Sequence, residues 1–332
     1  MKEMIAAISL LYSIPVGRIV SLKDEKVFWV YTKKERLVLK LLPYPAGETG
    51  FITDAMNYLS QNGFHRFNEP IPTAAGKLWG RFHGQCTLLT KEIHGRVPSY
   101  RKKEDVAAVA SYIGELHNAA AHFFPLHRYP ERIKWGTLIQ TMDRGRSDLL
   151  ELQTEISQKR ELNEFDTVFL RHCPHYIRET ERAMAALSEF YPRLSEEKRK
   201  LGGFCHHDPA YHNFHIRSDG EVGAFDFDYA IADPAAHDVA ALLLKVLKTN
   251  HWNPALAFCA LQGYRQSHPL DDDELRLIYW MLYYPYDFHH AAFARYRENN
   301  RQHRIEKKLL RLEREGESRS ALLRSLSSEL PH

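Results

Sequence analysis

Short apolar runs separated by polar turns dominate the N-terminal part of the chain. Apolar positions at helical spacing over residues 2–13 predict an amphipathic helix. After it, apolar runs of strand length alternate with turns such as Lys-Asp-Glu and Lys-Lys-Glu, which is typical of antiparallel strands. The predicted strands cover 18–22, 27–32, 36–42, 76–79 and 86–90, with a helix at about 51–62. This pattern predicts a small lobe built on an antiparallel sheet, which we place at residues 1–93.

Helical spacing takes over beyond the predicted sheet. Helices are predicted at 106–120, 137–158, 162–190, 235–248, 253–266 and 272–298. The second and third of these precede a polar loop. Residues 301–332 are rich in charge with Leu at helical spacing, which predicts an exposed helix with a frayed tail. We therefore expect a mostly helical lobe at 94–303 and a charged C-terminal helix and tail at 304–332.

Composition and charge restrict the class of protein. The 332 residues suffice for one large or two medium domains with ample core. The 45 Lys and Arg nearly balance the 42 Asp and Glu, so the formal net charge of +3 indicates no broad field for nucleic acid or membranes. The four Cys form no Cys-x-x-Cys pair, which favours reduced thiols in the cytoplasm. The N-terminus lacks the pattern of a signal peptide, and no apolar stretch is long enough to predict a membrane span.

The stretch 204–241 contains the main candidates for chemistry. Two apolar runs joined by an Asp-Gly turn predict a small hairpin. Asp208 and Asn213 precede its first strand and Asp226 ends its second, so folding the hairpin brings the three residues to one end. Phosphoryl transfer needs such a set, because a carboxylate must accept the proton of a hydroxyl while an amide and a carboxylate hold Mg²⁺ on the phosphates.

The spacing His206-x-Asp208-x4-Asn213, followed by Asp226-Phe-Asp, resembles the catalytic core of the aminoglycoside phosphotransferases and choline kinases. The resemblance implies an α+β, two-lobe protein-kinase-like fold, with a small antiparallel-sheet N-lobe and a mostly helical C-lobe that carries a helical insert. It assigns Asp208 as the catalytic base and Asn213 and Asp226 as magnesium ligands. His206 would shape the loop, and Asp238 at the start of the next helix would anchor the backbone of the loop.

The same resemblance implies an ATP site between the lobes. Lys40 on the third predicted strand would pair with the α- and β-phosphates. Asp54 is our choice for the carboxylate that holds Lys40, and Glu48 is the other candidate. The adenine would lie against the backbone of a hinge segment formed by Lys91, Glu92 and Ile93. The turn at 23–25, which should cover the nucleotide with glycines, is instead Lys-Asp-Glu.

Further segments resemble one subgroup, the bacterial spore-coat kinase-like proteins of CotS type. They are Trp135 before a long amphipathic helix, Asn-Gly-Phe at 62–64 ahead of Pro-Thr at 72–73, and Tyr-Tyr-Pro-Tyr-Asp-Phe at 283–288. The resemblance covers about residues 5–300. It implies a role in sporulation, with the protein in the mother-cell cytoplasm and the spore coat as a second location.

These observations predict a Mg·ATP-dependent phosphotransferase that acts on a hydroxyl of a small molecule or of a coat protein. The alternative is a kinase-like structural or assembly protein of the spore coat that has no turnover. The set Asp208, Asn213 and Asp226 favours catalysis, whereas the glycine-free turn and the unsettled partner of Lys40 favour the scaffold. Neither hypothesis specifies the acceptor or the oligomeric state.

Two other interpretations concern the histidines of the loop. His206, His207, His212 and His215 could form a zinc cluster or the centre of a metal-dependent hydrolase. Structural zinc sites usually contain paired cysteines, and Cys205 stands alone here. The remaining interpretation is a surface loop rich in His and Asp without any chemistry.

Overall fold

An antiparallel sheet and a helical lobe make up the protein. The computed structural model describes residues 1–125, 129–298 and 303–327. The strands of the sheet are β1 (Val16–Lys23), β2 (Val27–Thr32), β3 (Arg36–Leu42), β4 (Gly80–Phe82) and β5 (Gln85–Lys91). They form one five-stranded sheet in the order β1-β2-β3-β5-β4. The helices α1 (Lys2–Tyr12) and α2 (Ala46–Gln61) pack on its two faces.

The alternation of side chains along β3 places Lys40 on the side of the sheet that faces the helical lobe. Successive residues of a strand point to opposite faces. Leu37, Leu39 and Leu41 are buried in the cluster that contains α1. Lys40 lies between two of these leucines and therefore projects from the other face, where its amine meets Asp226.

The first strand of the second hairpin lies later in the chain than predicted. We predict a strand at 76–79, whereas β4 is Gly80–Phe82. Gly76 has a φ of 75°, the N–H of Thr73 donates to the carbonyl of Lys77, and the N–H of Gly76 donates to the carbonyl of Thr73. Residues 73–77 therefore close a turn on themselves, and these backbone groups are not available to pair with another strand.

The second lobe consists mostly of helices. Those that precede the candidate site are α3 (Lys103–Ala120), α4 (Leu138–Ser157) and α5 (Glu164–Leu201), and the last two form the predicted insert. A two-stranded hairpin follows, made of β6 (Phe214–Ile216) and β7 (Val222–Ala224). The remaining helices are α6 (Ala236–Thr249), α7 (Pro254–Ser267), α8 (Asp272–Tyr283), α9 (Tyr286–Tyr296) and α10 (His303–Ser327).

The helix predicted at 272–298 is two helices in the structure. α8 ends at Tyr283 and α9 begins at Tyr286. Between them, Tyr284 has extended backbone, with φ −63° and ψ 130°, and the next residue is Pro285. Proline has no N–H to donate, and it disfavours helical backbone at the residue before it. The break between the two helices follows from this proline.

The C-terminal helix α10 is docked on the lobe. Leu309, Leu322 and Leu323 are each no more than 3% exposed. Arg319 forms a buried ion pair with Glu179 of α5 at 2.8 Å. The prediction of an exposed helix is wrong here, because its leucines meet apolar side chains of the other helices of the lobe. The predicted tail at 328–332 lies outside the described residues.

The loops of the candidate site rest on a continuous apolar core. This core runs from α2 through α3 to α6, α7 and α8, and it includes Phe214 and Ala224 of the hairpin. A second core joins the insert to the end of the chain, where Phe169 of α5 packs with Phe288 of α9. Among the helices of residues 1–125, 129–298 and 303–327, none combines the length and the apolar content of a membrane span.

Candidate active site

The β6–β7 hairpin brings three predicted site residues to one end. The two strands are antiparallel, with Phe214 opposite Ala224. Just beyond this pair, the N–H of Phe225 donates to the carbonyl of Asn213 at 3.0 Å. Asp226, the next residue after Phe225, therefore lies close to Asn213. The loop that carries the third residue, Asp208, leads into the same strand.

Asp208 is held through both oxygens of its carboxylate. Asn213 Nδ2 donates to Asp208 Oδ2 at 2.8 Å and to the Asp208 carbonyl at 2.9 Å. Lys245 Nζ, on α6, donates to Asp208 Oδ1 at 2.9 Å. The side chain of Asp208 is 24% exposed, so a ligand in the cleft can reach it. The sequence analysis missed Lys245, because an ion pair between residues 37 positions apart leaves no local pattern.

Asp238 holds the backbone of the loop just before Asp208. Its Oδ2 accepts the N–H of His206 and its Oδ1 accepts the N–H of His207, both at 2.7 Å. His117 Nε2 lies 3.1 Å from Oδ2. Burial alone would raise the pKa of Asp238, but the hydrogen bond with His117 and the nearby histidines outweigh burial and hold this pKa at about 2. A buried, ionised carboxylate with these partners is what an anchor of the loop requires.

Two residues of the site have backbone conformations that residues other than glycine rarely adopt. His207 has a φ of 67° and Asp226 has a φ of 70°. Each such residue costs about 1–3 kcal/mol, which surrounding contacts must offset. His206 supplies one such contact, because its Nε2 lies 3.1 Å from the Phe225 carbonyl. Its ring also packs 4.7 Å from the ring of Phe227, so His206 ties the loop of Asp208 to the segment of Asp226.

Lys40 reaches from the sheet to this segment. Its Nζ lies 2.6 Å from Asp226 Oδ1 and 2.7 Å from Asp228 Oδ2. Burial disfavours the charged amine, but the two carboxylates outweigh burial, so the pKa of Lys40 is raised. Burial also raises the pKa of the Asp226 and Asp228 carboxyls. The amine of Lys40 outweighs burial for Asp226, whose pKa is lowered, but not for Asp228, whose pKa stays raised. Asp228 is therefore a site residue to which the sequence analysis gave no role.

The predicted pairing of Lys40 with Asp54 is corrected by the structure. The described ion pairs of Lys40 are with Asp226 and Asp228. Asp54 accepts a hydrogen bond from the Tyr129 hydroxyl at 2.5 Å. Glu48, the other candidate, lies 2.8 Å from Arg132 Nε, although that N–H does not point at the carboxylate. Both carboxylates of α2 are thus engaged with the segment 129–132, which packs against that helix.

The predicted hinge segment leaves the end of β5. The N–H of Lys91 donates to the carbonyl of Glu69 at 3.0 Å, and the Glu92 carboxylate pairs with Arg36. His215 Nδ1 lies 2.8 Å from the Ile93 carbonyl. Since these groups already have partners, an adenine held here would use other backbone groups of the segment.

The four loop histidines contact different partners. His206 and His215 each lie against a backbone carbonyl, at Phe225 and Ile93 respectively. His207 Nε2 lies 3.2 Å from His237 Nε2, which belongs to α6. His212 is exposed. The structure therefore does not assemble the zinc cluster that these residues suggested as an alternative.

In the described part of the chain, one group of three potential metal ligands is present, formed by His117, Cys205 and Asp238. Both oxygens of Asp238 already accept backbone N–H groups. Cys205 Sγ lies 3.2 Å from the Pro234 carbonyl, and burial raises the pKa of this thiol well above its usual value. Because a metal ligand must be a thiolate, this group is better described as a hydrogen-bonded part of the core.

The donor set of the cleft fits Mg²⁺. This ion prefers carboxylate oxygens together with phosphates. Both N–H bonds of the Asn213 amide are directed at Asp208, which leaves Asn213 Oδ1 for a cation. Asp226 and Asp228 already hold one cationic group between them, the amine of Lys40. The residues are therefore suited to a magnesium site beside nucleotide phosphates.

Comparisons with known proteins identify the family of the chain and its fold. A family model described as "Spore coat putative kinase YutH" matches residues 6–326. An aminoglycoside phosphotransferase from Alicyclobacillus acidocaldarius superposes with a TM-score of 0.84 at 21% identity, covering 99% of this chain and 96% of that one. AMP-bound spectinomycin phosphotransferase APH(9)-Ia gives a TM-score of 0.68 at 13% identity, with 94% of each chain covered. No curated protein matches the chain.

A third solved structure is amicoumacin kinase hAmiN in complex with AMP-PNP, Ca²⁺ and Ami. Its TM-score is 0.67 at 18% identity, with 96% of this chain and 93% of that one covered. At such low identities the likeness shows the fold and nothing finer. These structures confirm the predicted α+β, two-lobe kinase-like fold. The family model confirms the predicted resemblance to spore-coat kinase-like proteins.

Proposed function

The chain belongs to the family described as "Spore coat putative kinase YutH", and from that premise we propose that it transfers the γ-phosphoryl group of Mg·ATP to a hydroxyl. The observation that carries the proposal is the meeting of groups from both lobes. The amine of Lys40, on the sheet, lies 2.6 Å from the carboxylate of Asp226. The residue before Asp226 is hydrogen-bonded to the backbone of Asn213, and the side-chain amide of Asn213 donates to Asp208. Bringing these charges together costs desolvation free energy, and a purely structural role does not require them to meet in one cleft.

Asp208 would act as the catalytic base. As the acceptor hydroxyl gives its proton to this carboxylate, the hydroxyl oxygen forms a bond to the γ-phosphorus, and the bond from the γ-phosphorus to the bridging oxygen of ADP breaks. Asn213 and Asp226 would hold Mg²⁺, which when bound neutralises charge on the β- and γ-phosphates. Asp238 would keep the loop in place, since it holds the two amides before Asp208.

Lys40 would change partners when the nucleotide binds. In the structure its amine lies between Asp226 and Asp228. With a divalent cation on Asp226, the amine would turn to the α- and β-phosphates. A four-carbon stem with rotatable bonds allows this movement without a change in the strand.

The acceptor that we propose is a hydroxylated small molecule, with a hydroxyl of a coat protein as the second class. The description of the family names the spore coat. We accordingly propose the mother-cell cytoplasm and the spore coat as the places where the protein acts.

Thermal unfolding with Mg·ATP tests the proposal. A ligand that binds the folded state at a hundredfold excess over Kd stabilises it by about 2.7 kcal/mol, which shifts the Tm of a chain of this size by a few degrees. We expect this shift for the wild type and a much smaller one without Mg²⁺, because Asp226 repels the phosphates. Lys40→Ala and Asp226→Ala should each reduce it, whereas His212→Ala, at an exposed neighbour of Asn213, should retain it. A wild type without any shift, and without binding heat by calorimetry, contradicts the kinase proposal.

A structural or assembly role in the spore coat is the second candidate function. It is favoured by the β1–β2 turn, where Asp24 and Glu25 are exposed and have φ values of 47° and 51°. Two carboxylates in place of glycines would repel the phosphates of a nucleotide beneath them. This function predicts the same Tm with and without Mg·ATP for the wild type and for every variant above.

A further inference from the structure

Lys245 has no role in the proposed mechanism so far, although its amine lies beside Asp208. Lys245 Nζ lies 2.9 Å from Asp208 Oδ1, and its side chain is 34% exposed. Lys40, on the other side of the cleft, is engaged with Asp226 and Asp228. The site thus has one amine on the side of the phosphates and another on the side of the acceptor.

Lys245 is held by the same helix that anchors the loop. Asp238 and Lys245 are seven residues apart on α6, about two helical turns, so they lie on one face of the helix. The first holds the backbone amides of His206 and His207, and the second holds the carboxylate of Asp208. Because α6 packs in the main core of the lobe, the backbone of Lys245 has a fixed position relative to the loop that carries Asp208.

The distances place this amine within reach of the group that is transferred. An acceptor oxygen bound to Asp208 lies roughly 2.6–3.2 Å from its carboxylate. That oxygen attacks phosphorus from roughly 3–3.5 Å. An amine 2.9 Å from the same carboxylate can therefore reach the phosphoryl oxygens by a rotation of its side chain. A preorganised cation at that point stabilises the charge of the transition state.

We propose that Lys245 positions Asp208 and donates a hydrogen bond to an equatorial oxygen of the γ-phosphoryl group during transfer. The acceptor oxygen forms its bond to the γ-phosphorus, and the bond to the bridging oxygen breaks, with its electron pair leaving on ADP. The proton of the acceptor passes to Asp208, and Lys245 neither gains nor loses one. This inference rests on the proposed function.

A probe that requires no turnover keeps the two proposals separable. The probe is Mg·ADP with aluminium fluoride, which occupies the place of the transferred group as a planar mimic, and mimics of the transition state bind more tightly than ground-state ligands. We expect Mg·ADP to raise the Tm of the wild type and aluminium fluoride to raise it further. Lys245→Met should keep the first shift and lose the second, and Lys245→Arg should recover part of it.

Lys248→Met is the matched control. Lys248 lies one turn further along α6 and pairs with Asp287 at 2.8 Å, so this variant also removes an amine from an ion pair of the helix. It should keep both shifts. In ATP hydrolysis, with water as the acceptor, Lys245→Met should lower kcat by about 10²-fold while the KM for Mg·ATP stays within about twofold. Lys245→Gln replaces the methionine variant if that variant does not fold.

The outcomes distinguish the proposals. A wild type that gains nothing from Mg·ADP contradicts the proposed function itself. If Mg·ADP stabilises the wild type but aluminium fluoride adds nothing, or if Lys245→Met keeps the whole added shift, the role of Lys245 is overturned and the proposed function stands. Loss of both shifts in Lys245→Met, together with a lower Tm without ligand, makes Lys245 a structural residue and also overturns the inference.

Discussion

The two walls of the candidate cleft differ in how their polar groups are held. On the helical wall, Asp238 accepts two backbone N–H groups, and Asp208 is held by Asn213 and Lys245. The sheet wall contributes Lys40, whose partners belong to the other wall, and an exposed turn at 23–26. The helical wall is thus preorganised by its own contacts, whereas Lys40 on the sheet wall is held by residues of the opposite wall.

This difference separates two tasks. A base must be fixed in place before the substrate arrives, because a preorganised group needs no rearrangement during the reaction. In the proposed function Lys40 binds the phosphates, and until they arrive Asp226 and Asp228 supply its counter-charge. If the comparison is right, substitutions on the helical wall and on the sheet wall should have effects of different kinds.

The largest expected effect is on the rate and belongs to Asp208. Asp208→Asn should lower phosphoryl transfer by about 10²–10⁴-fold, because an amide cannot take the proton of the acceptor. The amide oxygen can still accept from Lys245 or Asn213, so the free energy of unfolding should change by no more than about 1 kcal/mol. The rate of phosphoryl transfer is measured as the rate of ADP formation, and the free energy of unfolding is measured in urea. Equal turnover in the variant would remove Asp208 from the mechanism.

Asp238, on the same wall, should affect stability first. Asp238→Ala leaves the buried N–H groups of His206 and His207 without their acceptor, at a cost of about 1–3 kcal/mol in the free energy of unfolding. Asp219→Ala is the control, because the contacts of Asp219 with Glu221 and Arg217 are exposed and water can replace them, and it should stay within about 0.5 kcal/mol of the wild type. Urea unfolding at neutral pH checks both. An Asp238→Ala protein that is as stable and as active as the wild type would show that the anchoring role is wrong.

The cost of losing Asp238 should also depend on pH. Its pKa is lowered from an ordinary 3.8 to about 2 in the folded protein. A lowered carboxyl pKa contributes stability that is present above the unfolded value and is lost as the pH falls through the folded one. The difference in unfolding free energy between the wild type and Asp238→Ala should therefore narrow by about 2 kcal/mol between pH 4 and pH 2. A constant difference across this range would argue against an ionised anchor.

The two walls also differ in how far the sequence could predict them. Asp208, Asn213 and Asp226 lie on one hairpin, and a hairpin is a local structure whose pairing follows from its turn and its apolar runs. The fold class could be predicted because the motif on this hairpin resembles a known superfamily. Four of the five strands of the sheet and most helices followed from apolar spacing, while β4 lies later in the chain than predicted and Pro285 splits one helix that the spacing alone ran together.

Contacts between distant elements could not be predicted in this way. Lys245 meets Asp208 across 37 positions, and Lys40 meets Asp226 across 186. Asp54 is the predicted carboxylate partner of Lys40, but the face of α2 that carries it turns to Tyr129. These pairings depend on how α2 and α6 pack, and packing leaves no periodicity in the sequence. The same holds for the docking of α10.

On the sheet wall, Lys40→Met should have effects of opposite sign on two ligands. Without the amine, Asp226 and Asp228 face each other and should bind Mg²⁺ alone roughly tenfold more tightly. Mg·ATP should bind roughly tenfold more weakly, because the phosphates lose a charged hydrogen bond worth about 1.5 kcal/mol. Calorimetry measures both. Lys198→Met is the control, since Lys198 also lies between two carboxylates and is 21% exposed against 22% for Lys40. A change of the same sign for both ligands would contradict the exchange of partners.

The smallest expected effect concerns the turn of the sheet wall. Glu25 has a φ of 51°, which costs a residue with a side chain about 1–2 kcal/mol, and glycine avoids this cost but loses about 0.5–1 kcal/mol of unfolded-state entropy on folding. Glu25→Gly should therefore raise the free energy of unfolding by roughly 0.5 kcal/mol, measured in urea. Glu25→Gln removes the charge without easing the backbone and should leave stability unchanged.

The same pair of variants tests whether the turn covers the nucleotide. If it does, Glu25→Gln should bind Mg·ATP more tightly, because a negative charge near the phosphates is gone. Glu25→Gly should bind more tightly still, because its backbone can approach the phosphates closely. Calorimetry with Mg·ATP measures the order of the three affinities. Equal affinities in a protein that binds Mg·ATP would mean that the turn lies away from the phosphates, and that Lys40 is the contact of the sheet wall with them.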